Sequence, residues 1–130
     1  MQHTLKVNPE HNLLLLETQG EGTAKGIIAF LDDIIAHPIW HPGMSVLMDH
    51  RRLSLDKLSY EGIQQVSDYF ASISDDLGNG KFAAVMNREV DFGITRAWQN
   101  MTMDRTSIQT FICRSMDEAR AWLLEDSTQP

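Results

Sequence analysis

Short apolar runs alternating with longer stretches of helical periodicity predict an α/β fold in the order β-β-α-β-α-β-α-β-α. The runs at Leu13–Leu16, Met44–Met48 and Phe82–Met86 are bounded by turn or charged residues and too short for helices, which reads as buried strands. Between them, Ile63, Val66, Phe70, Ile73 and Leu77 recur at spacings of 3, 4, 3 and 4, a helical signature. Helix-length segments between strands imply right-handed crossovers and a mainly parallel sheet of about five strands, with the first strand antiparallel at an edge.

Taken in order, Thr4–Val7 alternates weakly and Asn8–Asn12 is a turn cluster, so it forms a hairpin with a second strand, Leu13–Thr18, which Gly20-Glu21-Gly22 breaks. Leu13–Leu16 is apolar on both parities, so both of its faces need cover. Thr23 predicts the N-cap of a helix running to about His37, with Ile27, Leu31, Ile34 and Ile35 inward and Pro38 as the stop. The central strand, Met44–Asp49, ends abruptly at Asp49-His50-Arg51-Arg52. Ser59 caps the second helix, which Gly78-Asn79-Gly80 terminates, and Lys81–Met86 is the next strand. Asp91 is the expected cap of a third helix whose inward face is Ile94, Ala97, Trp98 and Met101. Ile108–Cys113 is the last strand, and Ser115-Met116-Asp117-Glu118 has the form of a capping box before a final helix packed through Ala119, Trp122 and Leu123. Asp126–Pro130 reads as a frayed tail.

The 130 residues suit one domain, 1–130, with a single core and no need for staples. The opening residues lack the apolar core of a signal peptide, and pure apolar runs such as Leu13–Leu16 and Phe82–Met86 are far too short to span a bilayer. With one cysteine there is no intrachain disulfide, so a soluble cytoplasmic protein is expected. Net charge is −7, with 18 acidic against 11 basic residues, which argues against nucleic-acid binding and against docking on anionic membranes.

His37 and His41 have the spacing of two ligands on one helical face, but Pro38 and Pro42 interrupt any helix there and no third ligand is near, so no metal is expected. Cys113 precedes Arg114 at a helix start, a setting that favours thiolate, yet no histidine is placed to serve it and a buried core thiol is the plainer reading. Glycine-rich dinucleotide loops, phosphate loops and nucleophile elbows are missing, so neither a cofactor nor a catalytic residue is assigned. The arginines carry more information. Arg51, Arg52, Arg88 and Arg114 fall at the carboxyl ends of three strands, the helices beginning near Ser59, Asp91 and Ser115 start at that same edge, and Arg96 lies one turn into the third helix. Helix N-termini and forked guanidinium donors together predict an anion-recognising rim. The alternative is that these arginines pair with Asp49, Glu89, Asp91 and Asp117 and only solvate the connectors.

Pro38-x-Trp40-x-Pro42-Gly43 leading into Val46-Leu47-Met48-Asp49-x-Arg51, then Phe92-Gly93-x-x-Arg96, then Phe111 and Asp117-Glu118-Ala119-x-x-Trp122-Leu123, resembles the bacterial SpoIIAA-like domain, which is related to STAS domains and CRAL-TRIO lipid carriers. The resemblance covers nearly the whole chain and implies the same α/β order. Its STAS side implies a regulatory module switched by phosphorylation of a serine in an Asp-Ser-Ser-Gly-like motif. Here Arg51–Ser59 lacks that motif, with Ser54 and Ser59 as the serines present. Its CRAL-TRIO side implies an apolar ligand held between sheet and helices. Phe92, Gly93 and Arg96 are the residues most tied to the family pattern; Gly93 is expected to allow close helix approach, and the topology leads us to expect Arg96 to pair with Asp49 across the carboxyl edge.

These readings converge on a non-enzymatic regulatory or ligand-binding module. It is expected to bind a partner protein or a small anionic or amphipathic ligand through Asp49, Arg51, Arg52, Arg88, Phe92, Gly93, Arg96 and Arg114. Two other classes stand beside it: a carrier of lipid or another hydrophobic ligand, and a small enzyme using Asp49, His50 and Arg51 on an anionic substrate. Sequential crossovers put the intervening helices on one side of the sheet. The other side then calls for the last helix, the hairpin or a second subunit of a homodimer.

Overall fold

A computed structural model describes residues 1–125; the expected frayed tail, 126–130, lies outside them. The elements are β1 (Gln2–Asn8), β2 (Leu13–Glu21), α1 (Ala24–Ala36), β3 (Ser45–Ser54), α2 (Tyr60–Ser72), α3 (Ser74–Leu77), β4 (Lys81–Val85), α4 (Glu89–Thr102), β5 (Gln109–Cys113) and α5 (Met116–Leu124). The strands lie in the order β1-β2-β3-β4-β5, with β1 antiparallel to β2 and the rest parallel. No helix among the described residues is long and apolar enough to cross a membrane.

Local chemistry sets the helix starts. The Thr23, Ser59 and Ser115 hydroxyls accept from the amides of Gly26, Gly62 and Glu118 at 3.0, 3.0 and 3.3 Å. The stretch expected as one helix through Leu77 is two, α2 and the single turn α3, because Ile73 leaves helical geometry at φ −103° and ψ 16°. Gly78 then turns back at φ +78°, where a Cβ would stand 2.4 Å from the Gly43 amide nitrogen.

The sheet has two unlike faces. Leu14, Leu16, Val46, Met48, Phe82 and Ala84 pack beneath α1, α2 and α4. On the reverse, Leu13, Leu47, Ala83, Val85 and Cys113 meet Ala119 and Leu123 of α5. Right-handed crossovers force α1, α2 and α4 to one side, while the helix after the last strand is free to fold over the other. Lys81, buried, fastens it there: Nζ donates to the carbonyls of Trp122 and Glu125, both at 3.0 Å, at the negative end of α5. Beyond α5, the β1 part of this face carries exposed Gln2, Thr4, Lys6 and Asn8.

Element boundaries differ from expectation as well. Strand β3 does not stop at Asp49 but continues to Ser54, because β2 runs past Gly20 to Glu21 and pairs with it through Gln19–Arg52, Gly20–Leu53 and Glu21–Ser54. Between the Glu17–Asp49 and Gln19–Arg52 pairs β3 takes one residue more than β2, a bulge that re-aims the side chains at its polar end. Helix α4 starts at Glu89, with Arg88 at the cap position and no side-chain cap; Asp91 lies inside its first turn. Its carboxylate is engaged elsewhere.

Candidate functional site

The strand exits do share one rim. Asn87 Nδ2 donates to the Arg51 carbonyl at 3.3 Å, and Arg114 Nη1 donates to the Asn87 carbonyl at 3.3 Å, joining the ends of β3, β4 and β5. The guanidinium groups, however, bring their own counterions. Arg51 forks onto Asp49 with both bonds at 2.9 Å, Arg114 pairs with Glu89, and Arg88 pairs with Asp56 and Asp91. Arg96 and Arg114 stand over the Phe92 ring at 5.2 and 4.7 Å from its centroid. Arg96 therefore does not pair with Asp49, whose carboxylate Arg51 already occupies. Asp117 sits near Arg120 rather than Arg114. Gly93 is exposed, with nothing near where a Cβ would be, so it does not serve close helix approach. Arg52 makes no ion pair among the described residues and lies with Gln2, Gln19, Asp49 and Asn87 in a polar groove of about 480 Å3 on the reverse face.

Asp91 explains the missing cap. It is 2% exposed, accepts from the Leu55 amide at 2.8 Å, and takes Arg88 Nε at 2.8 Å and Nη2 at 3.0 Å. Burial raises its pKa, but the Arg88 hydrogen bonds, the Leu55 N–H and the Arg88 charge outweigh that and hold the carboxyl below the usual range. Arg88 also reaches Asp56 and the Ser54 hydroxyl. The connector after β3 is thereby clasped to the first turn of α4.

Inside this clasp lies an apolar chamber between the sheet and α1, α2 and α4. Phe30, Met48, His50, Leu58, Phe70 and Trp98 are among its walls, and Leu55 closes the side held by Asp91. Its volume is about 80 Å3. Half-buried Ile27, Leu58 and Ile94 place the mouth toward the carboxyl edge, where open α/β sheets bind their ligands.

His50 is the one ionisable residue along that chamber. Expected at an exposed strand exit, it is 7% exposed, because the extended β3 turns it inward while Asp49 and Arg51 face the reverse groove. Its Nδ1 lies 2.7 Å from Thr18 Oγ1, and its ring tilts against Phe30 at 5.8 Å. Desolvation pushes its pKa down to about 4 in spite of the Asp49 and Asp91 charges. Asp49, His50 and Arg51 thus point to opposite faces and do not converge on one substrate.

The remaining candidates are dispersed. Cys113 is buried, its thiol pKa is raised by desolvation, and Sγ donates to the Ser115 carbonyl at 3.4 Å, so it is a core thiol. His37 accepts from the Ile39 amide at 3.2 Å and His41 contacts Asn12; no cluster of three metal-ligating side chains exists among the described residues. Sequence reasoning missed Thr18, Asp56 and the connector leucines. Alternation from Met48 to His50 was the available signal, had β3 been extended.

The antiparallel first strand, the four parallel strands in sequential order and the helices between them define a SpoIIAA-like α/β fold. One solved structure of similar form is that of an uncharacterized protein from the DUF3478 family with a SpoIIAA-like fold, from Shewanella loihica PV-4. The likeness has a TM-score of 0.60 at 16% identity, covering 94% of this chain and 92% of that chain, and is a likeness of fold. No family model matches the chain, and no curated protein matches it.

Proposed function

We propose that this domain is a binding module rather than an enzyme, and that it takes the apolar part of a small amphipathic molecule into the chamber between the sheet and α1, α2 and α4. The observation that supports this is the chamber itself: an apolar space that the protein's own side chains leave between sheet and helices, opening at the carboxyl edge. A guest that takes up this space of about 80 Å3 gains on the order of 2 kcal/mol in packing at ~24 cal/mol per Å3. That alone gives weak binding; further affinity comes from the walls covered toward the mouth. The rim supports an anionic ligand less well, because Asp49, Asp56, Glu89 and Asp91 already neutralise Arg51, Arg88 and Arg114.

Native mass spectrometry of protein purified without detergent, followed by solvent extraction, tests this reading. A copurifying apolar molecule, released on extraction, is the expected result. A clean ligand-free mass, together with no binding of added short-chain alcohols or alkanes, would overturn it.

A further inference from the structure

Of the polar side chains along the chamber, the Thr95 hydroxyl donates to the Asp91 carbonyl, the Thr110 hydroxyl accepts from Gln99 and Trp98 Nε1 is sealed from solvent, which leaves His50. His50 uses Nδ1 on Thr18, while Nε2 has no protein partner among the described residues and is not among the buried polar atoms sealed without one. Thr18 Oγ1 also lies 3.3 Å from the Asp49 carbonyl, as a donor. A hydroxyl has one proton. If Thr18 gives it to the Asp49 carbonyl, then His50 must carry its own proton on Nδ1 and donate to Thr18; this is the arrangement that satisfies both contacts. It leaves Nε2 as a bare acceptor on the chamber wall.

We propose that His50 selects the guest: an apolar molecule bearing one hydrogen-bond donor, in the simplest case a hydroxyl, whose proton is given to Nε2. This rests on the chamber being a ligand site, as proposed above. A neutral imidazole in an apolar wall has nothing to offer an anion, whose desolvation would be uncompensated. A plain alkane leaves Nε2 unpaired. An alcohol of the same length meets both requirements, and Thr18 is a positioning residue that sets which ring nitrogen faces the guest.

The test uses hexanol, hexane and hexanoate at neutral pH, with binding followed by NMR on the full chain and the imidazole nitrogens of His50 read directly. Hexanol is expected to bind roughly three- to tenfold more tightly than either, the worth of one hydrogen bond. It is also expected to move the Nε2 resonance, with Nδ1 protonated before and after. His50→Phe should bring hexanol down to the affinity of hexane while hexane binding persists. Should that variant fail to fold, the wild-type Nε2 shift alone decides. Equal binding of hexanol and hexane with Nε2 unmoved overturns the selection by His50 and leaves the chamber reading intact. Tighter binding of hexanoate, or a proton found on Nε2, also overturns it. If none of the three binds, the chamber reading fails with it.

Discussion

At the scale of single residues, His50 ties stability to pH. Its pKa falls from 6.5 to about 4 on folding because burial disfavours the cation. A group depressed in this way is neutral in both states above pH 6.5 and favours the unfolded chain as pH falls through the window between the two values. By pH 5 the loss is about 2 kcal/mol, reckoned from ~1.4 kcal/mol per unit. Asp49 and Asp91, both lowered, withdraw their stabilisation only as pH falls through their still lower folded values, so the window above belongs to His50. Denaturant melts at pH 7 and pH 5 should show this drop in the wild type and a clearly smaller one in His50→Phe; parallel losses in the two proteins would contradict it. Gly93 gives a second expectation. With open space at its Cβ position inside α4, Gly93→Ala should raise stability by roughly 0.5–1 kcal/mol, read as an increase in Tm. A loss would mean that the position needs glycine for a reason the geometry does not show. Neither role is visible from neighbours in sequence: His50 sits in a polar run that resembles a strand exit, and Gly93 sits in a motif that suggests close contact.

At the scale of elements, the clasp is the feature on which the chamber wall depends. Asp91→Ala removes a buried carboxylate from the Leu55 amide and from Arg88, which stays charged and loses its buried partner. The exposed guanidinium is rehydrated, but the buried Leu55 N–H is left without an acceptor, which costs about 1–3 kcal/mol. Hydrogen exchange should show the Leu55 amide losing protection ahead of amides in β4; unchanged protection at Leu55 would remove the clasp from the account. The same residue shows where sequence reasoning stops. Thr23, Ser59 and Ser115 were legible as caps because a cap is satisfied within three residues. Asp91 has the composition of a cap but bonds to an amide 36 positions away, and only the fold brings that amide to it. The end of β3 failed for a like reason: its partners are Gln19, Gly20 and Glu21, and polar side chains at a strand end hide the backbone pairing beneath them.

At the scale of the molecule, the order of elements and the mainly parallel sheet followed from periodicity and crossover handedness. The cover of the reverse face, by contrast, stood open among the last helix, the hairpin and a second subunit, and it is α5 that packs there. The arginine rim was also legible as a place, since strand ends and helix starts must share an edge. Its charge balance was not, because which carboxylate meets which guanidinium depends on side-chain packing. The chamber is a property of packing alone, the residue of three helices and a sheet that do not quite fill the space between them. Ala84, 5% exposed on β4, lines it and offers a direct way to fill it. Ala84→Ile should raise Tm by occupying empty volume, provided the added methyl groups enter the chamber without displacing Phe70 or Phe82.

The comparison of wild type with Ala84→Ile in a hexane titration, followed by NMR, bears most directly on the chamber as a ligand site. Shifts confined to resonances of Phe30, Met48, Trp98 and their neighbours in the wild type, and absent from the filled variant, are the expected result. Shifts that survive the filling, or that gather instead around Gln2, Arg52 and Asn87, would contradict it.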